Sequence, residues 1–233
     1  MRARSLMAIG TLLAALAAMP AHATVYDAVQ GFSLSNPSGV WSYSYAGTPF
    51  STAVPTPNTL GVPYWWTGQG VPNSAIVGQN VSGGTVTYLT IQDPNNTLWI
   101  DPESWSNVAV TFTAPAAGNY TVNGDFLGID TGERTHGVEA LVNGLPFYLN
   151  TISAYGASDP FGAIVPLTAG GTISFLVDGG SLDNCGFCNL STALTVQIST
   201  VPEPAGWAMM LTGFFALGAA LRRSRRKGAH LAA

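Results

Sequence analysis

Bulky apolar residues alternate with small or polar ones through the central part of this chain. In Val108-Ala109-Val110-Thr111-Phe112-Thr113 the large side chains point one way and the smaller ones the other, the period of a strand with one buried face. The same rhythm returns at Tyr120 and Val122, at Val138, Ala140 and Val142, at Ile173, Phe175 and Val177, and at Leu194, Val196 and Ile198. Turn signals separate these runs: Ala114 to Asn119, Asn123-Gly124, Asn143-Gly144, Ala169-Gly170-Gly171 and Asp178-Gly179-Gly180. Between the two ends of the chain no segment sustains a helical period. Short strands at this spacing predict an all-β fold, a β-sandwich or jelly roll over 24–200. Upstream, Trp41, Tyr43 and Tyr45 alternate with small residues and predict another strand of the same sandwich, its rings turned into the core.

Both ends depart from this pattern. Arg2 and Arg4 precede an apolar run from Leu6 to Ala18 and an Ala21-His22-Ala23 cleavage site, so residues 1–23 read as a signal peptide, handled by the Sec translocon and signal peptidase. At the other end Val201, Pro202, Glu203 and Pro204 lead into an uncharged run over 205–221. A basic cluster follows, over 222–227: Arg222, Arg223, Arg225, Arg226 and Lys227. At about 1.5 Å per residue that run spans roughly 25 Å as a helix, which predicts a single transmembrane helix with its basic end in the cytoplasm. The prolines flanking Glu203 keep the preceding segment extended and open to a processing enzyme.

The order of Pro-Glu-Pro motif, apolar helix and arginine cluster resembles a PEP-CTERM sorting signal. That resemblance implies recognition by an exosortase, removal of the helix, and delivery to the cell surface or extracellular matrix.

Setting both ends aside changes the charge balance. The whole chain carries a formal −4, but its twelve acidic residues all lie between Asp27 and Glu203, where Arg134 is the only Lys or Arg, leaving eleven net negative charges on the exported part. A surface with a single Arg and eleven net negative charges cannot release counterions from phosphates, so nucleic acid is excluded as a partner.

From Val108 to Ile198 the succession "VTFTAPAAGNYTVNGDFLGID", "GVEALVNG", "LTAGGTISFLV" and "STALTVQI" resembles the galactose-binding-like jelly-roll domains of exported proteins. That fold class serves lectin modules, enzyme appendages and structural domains alike, so it implies an architecture and no activity.

Three groups of residues are candidate sites. Cys185 and Cys188, the only cysteines, read as a structural disulfide in an exported chain, since no helix follows to activate a thiol. Asp125, Asp130 and Glu133, with His136 and Glu139 nearby, supply hard oxygen ligands of the kind Ca²⁺ takes. Their spacing is not that of an EF-hand, and Asp130-Thr131-Gly132 reads equally as an exposed turn. Tyr64, Trp65 and Trp66, in a Pro/Gly-rich stretch, are the candidate platform on which a sugar face would stack. No Gly-x-Ser-x-Gly elbow, HExxH or phosphate loop is present. The expectation is a non-catalytic protein of the cell surface or extracellular matrix, binding extracellular polysaccharide. The alternatives are a polysaccharide-active enzyme and a Ca²⁺-dependent adhesin.

Overall fold

The computed structural model describes residues 23–68, 74–102, 106–179, 189–201, 211–219 and 222. One compact unit, Val25–Thr200, holds all sixteen strands found among them. In chain order these are β1 (Val25–Asp27), β2 (Trp41–Tyr45), β3 (Thr48–Pro49), β4 (Thr52–Val54), β5 (Tyr64–Trp66), β6 (Ile76–Asn80), β7 (Val86–Tyr88) and β8 (Ile91–Asp93). The remainder are β9 (Thr97–Asp101), β10 (Asn107–Thr113), β11 (Gly118–Gly128), β12 (His136–Val142), β13 (Leu145–Ile152), β14 (Ser158–Leu167), β15 (Thr172–Asp178) and β16 (Thr192–Thr200).

The strands form two antiparallel sheets and a ribbon. One sheet runs β14-β11-β16-β9-β6-β5-β4, with β1 beside the far half of β16; the other runs β13-β12-β15-β10-β2-β3; β7 and β8 pair with each other, and Ile91 of β8 is also bridged to Asp130. The predicted alternation places the core. Val108, Val110 and Phe112 from β10, Val138 and Ala140 from β12, and Ile173, Phe175 and Val177 from β15 are sealed from solvent against Val122 and Phe126 of β11 and Leu194 and Ile198 of β16. Removing such side chains from water contributes about 1.5–3 kcal/mol each, which is why the period-2 pattern fixes which face turns inward. Trp41 and Tyr43 are buried in the same core, as their alternation predicts.

Local chemistry explains the connections. Asn143 and Gly144 adopt φ of 50° and 80°, the left-handed pair that a two-residue hairpin between β12 and β13 requires. The Ala114–Ala117 corner carries the chain from one sheet to the other, held by the Tyr120 hydroxyl donating to the Ala116 carbonyl at 2.7 Å. The predicted turn at Asn123-Gly124 is not one. β11 runs straight through it, because Gly124 serves a close approach to Phe161.

A second hydrophobic cluster lies on the opposite side of the larger sheet. Leu60, Val62, Tyr64, Ile76, Ile91, Trp99, Ile129 and Ala193 form it, and the β7–β8 ribbon packs over it through Val86, Tyr88 and Ile91. The strands beneath are therefore apolar on both faces and show no clean alternation.

The described terminal residues lie outside the unit Val25–Thr200. Within the predicted helix over 205–221, residues 211–219 are helical (α1), and among the described residues no helix is long and apolar enough to cross a membrane. The leader over 1–22, the motif residues Pro202, Glu203 and Pro204, and Arg223, Arg225, Arg226 and Lys227 lie outside the described residues.

Candidate functional site

The aromatic triplet is not a platform. Tyr64 and Trp65 are 5 % and 4 % exposed, because β5 is an interior strand of the larger sheet with a hydrophobic layer on each side. Trp65 faces the main core and donates its indole N–H to the Ser33 carbonyl at 2.9 Å; Tyr64 and Trp66 face the second cluster and meet edge to face. A Pro/Gly-rich neighbourhood looked like a loop, but short paired strands lie within it. Cys185 and Cys188 lie outside the described residues.

Of the three candidate metal ligands, Asp125 lies apart from Asp130 and Glu133. Asp125 points from β11 to β14, accepting from the Ser158 hydroxyl at 3.0 and 2.9 Å and from the Asp159 N–H at 2.8 Å. Asp130 and Glu133 instead close the loop after β11 upon itself. Asp130 Oδ1 accepts from the Gly132 N–H at 2.7 Å, Asp130 Oδ2 from the Thr90 hydroxyl at 3.0 Å, and Glu133 Oε2 from the Asp130 N–H at 3.2 Å. Among the described residues no three His, Cys, Asp or Glu side chains converge to hold a metal ion.

Asp130 and Glu133 belong with Asp101 and His136 in an enclosed cluster that sequence spacing did not reveal. Burial pushes Glu133 up to about 8; the Asp130 N–H opposes this, while the negative charges of Asp130 and Asp101 add to it. Asp101 keeps part of its surface, but its carboxyl is enclosed and burial raises it to about 7, against the bond from Ser191. Burial lowers His136. The His136 ring sits with Nδ1 3.4 Å from Glu133 Oε1 and 2.9 Å from the Arg134 carbonyl, and with Nε2 2.7 Å from Thr192 Oγ1. Both side chains are hidden, at 0 % and 1 % exposure, so this His–Glu pair meets no substrate. It ties the loop over 129–134 to the start of β16, helped by the Arg134 N–H to the Asn189 carbonyl and the Asn189 amide to the Gly132 carbonyl.

Asp125 leads to a different place, the margin where β13 and β14, edge strands of opposite sheets, lie together. Tyr148 and Asn150 sit two apart on β13 and share a face. The Asn150 amide donates to Asp159 Oδ1 at 2.6 Å and to the Tyr148 hydroxyl at 3.3 Å, joining one sheet to the other. Beneath, Phe161 packs on Tyr148 with ring centroids 5.2 Å apart and is itself stacked against Phe126 and Phe175. The Tyr148 phenol is raised first by partial burial and then by Asp159, with the Asp125 charge adding to the rise and the Asn150 amide opposing it. The result is a ring, an amide, two carboxylates and the Ser158 hydroxyl held in fixed positions at the surface. Sequence reasoning passed over Tyr148 and Asn150 because β13 lacks the buried alternation that marks a core strand. Their i, i+2 spacing was the available signal.

No family model matches the chain, and no curated protein matches it. Among solved structures it is similar to a family 35 carbohydrate-binding module from Clostridium thermocellum, at 11% identity and TM-score 0.31 over 76% of this chain and 98% of that one. It is similar also to CBM35 from Paenibacillus barcinonensis, at 12% identity and TM-score 0.32 over 76% and 99% of the two chains. A PA14 sugar-binding domain from an RTX adhesin aligns at 16% identity and TM-score 0.26 over 46% and 49%. These likenesses are too distant to transfer a site, and the residues themselves must carry the reading.

Proposed function

We propose that this chain is an exported, non-catalytic β-sandwich protein of the cell surface or extracellular matrix that binds polysaccharide at the β13–β14 margin. The observation that carries the reading is the Asn150–Asp159 bond beside Tyr148 and Asp125, which holds amide and carboxylate groups in place next to an aromatic ring. Sugar hydroxyls donate to carboxylates and accept from amides, and a ring offers their C–H faces an apolar contact. Fixed donors and acceptors of this kind favour binding because little side-chain freedom is lost when the ligand arrives.

Binding to an array of extracellular glycans tests this. Tyr148→Ala and Asn150→Ala are each expected to weaken the retained glycan at least about tenfold in the folded protein, on the order of 1.4 kcal/mol. Undiminished binding by both variants would place the site elsewhere.

Delivery is the other half of the proposal. Pro202-Glu203-Pro204, the helix and the arginine cluster act as the signal read by an exosortase, after Sec export and removal of the leader. Glu203→Ala is expected to leave the protein in the inner membrane with its tail uncut, as fractionation and intact mass would report. Equal surface delivery of variant and wild type would rule out sorting through this motif.

A further inference from the structure

Asp93 is fully buried at the end of β8, and neither the glycan margin nor the Glu133–His136 cluster uses it. Its surroundings form a knot that fastens the β7–β8 ribbon to the larger sheet. The Asn80 amide, also fully buried, donates to the Asp93 carbonyl at 2.8 Å and to the Gly84 carbonyl at 3.0 Å. The Ser82 N–H and hydroxyl return to Asn80 Oδ1, and the Gly83 N–H reaches Asn95 Oδ1 at 2.7 Å. Inside this knot Asp93 Oδ2 has no hydrogen-bond partner.

The other oxygen shows which protonation state fits. Thr97 Oγ1 lies 2.8 Å from Asp93 Oδ1 and 2.7 Å from the Pro94 carbonyl. A hydroxyl has one hydrogen. With Asp93 ionised, Thr97 has to abandon one acceptor, and a buried negative charge is left with Oδ2 bare. With Asp93 protonated on Oδ1, the acid donates to Thr97 Oγ1, Thr97 donates to Pro94, and no charge is buried.

Nothing nearby offsets the charge. The titratable groups on the elements packed around the knot are Tyr64 on β5, Tyr88 on β7, Asp101 on β9 and Asp130, which bridges to Ile91. All of these are neutral when protonated and negative when ionised, and no Lys or Arg occurs between Arg4 and Arg134.

We propose that Asp93 is a proton-operated latch: protonated, it closes the knot that holds the β7–β8 ribbon down, and on losing its proton to solvent it loosens that knot. Burial raises the Asp93 carboxyl to about 7, opposed in part by the Thr97 bond, which puts the transition near neutrality. The sign follows from linkage. A carboxyl raised in the folded state contributes stability that is complete below about 4, its unfolded value, and is lost as pH rises toward 7.

The test is made on the whole protein, comparing wild type with Asp93→Asn, which keeps an N–H donor toward Thr97 at every pH. The folding equilibrium constant of wild type, relative to Asp93→Asn, is expected to fall about tenfold per pH unit between about 4 and 7, while Glu139→Gln, half-buried on β12 away from the knot, leaves that slope in place. The Asp93 carboxyl carbon should titrate near neutrality by NMR. Amide protection at Gly83 and Asn96, corrected for intrinsic exchange, should drop from pH 6 to 8.5 in wild type and hold in Asp93→Asn. A midpoint near 4, or parallel pH profiles for wild type and Asp93→Asn, would overturn the latch. So would calcium chloride restoring protection at pH 8.5 in wild type alone, since Asp93 would then be a cation ligand.

Discussion

Phe112→Ala is expected to lower the folding free energy by about 3–5 kcal/mol, read as a fall in the urea midpoint at an unchanged slope. Phe112 is sealed from solvent on β10 and packs against three other rings at centroid distances of 5.1, 5.5 and 5.6 Å: Tyr26 on β1, Trp41 on β2 and Tyr120 on β11. Those partners come from both sheets, so truncation opens a void that neither sheet can close by shifting one strand. Tyr120 is doubly held, since its hydroxyl anchors the corner at Ala116, and its ring cannot swing into the gap without releasing that bond. Phe112→Leu keeps most of the volume and should cost less than half as much. A loss below about 1 kcal/mol in Phe112→Ala would mean that the aromatic layer collapses around the missing ring, and that its packing is looser than these distances imply.

The strands that share this core were legible because one face of each is buried and the other is not. Val108 to Phe112, Ile173 to Val177 and Leu194 to Ile198 all read correctly for that reason. The region from Thr52 to Asp101 was opaque for the converse reason. With a ribbon packed over the larger sheet, Tyr64, Trp65, Ile76, Trp99 and Ile100 are buried on both sides, and a period cannot show where there is no polar face. The same second layer explains why Tyr64, Trp65 and Trp66 passed for an exposed triplet. The candidate sites divide along similar lines. Asp130 and Glu133 are neighbours in space as in sequence, but the rest of their cluster arrives from elsewhere: Asp101 from β9, and from β16 the Thr192 that holds His136. Asp125 turns instead toward β14, and Tyr148 and Asn150 come from an edge strand. Sequence spacing reaches contacts within a loop; contacts across sheets depend on strand order, which the alternation pattern does not encode.

Gly124→Ala is expected to destabilise the protein by about 3 kcal/mol and to weaken glycan binding as well, an effect few glycines would share. A Cβ at this position would overlap the Phe161 ring and would stand 2.8 Å from the Thr195 carbonyl oxygen on the neighbouring β16. The ring can move, but the carbonyl is fixed in the ladder between β11 and β16. Replacing Phe161 by leucine in the alanine background should therefore recover part of the loss and not all of it. Phe161 is also the ring on which Tyr148 rests, so displacing it tilts the aromatic member of the proposed site away from Asn150 and Asp159. Stability and affinity should then fall together in Gly124→Ala, whereas Phe112→Ala, whose ring contacts lie on β1, β2 and β11, should leave affinity unchanged in the fraction that remains folded. If Gly124→Ala proved as stable as wild type, the close approach of Phe161 would not be what keeps a glycine inside an eleven-residue strand. If stability fell while affinity held, Tyr148 would not depend on the ring beneath it, and the margin would owe its rigidity to the Asn150–Asp159 bond alone.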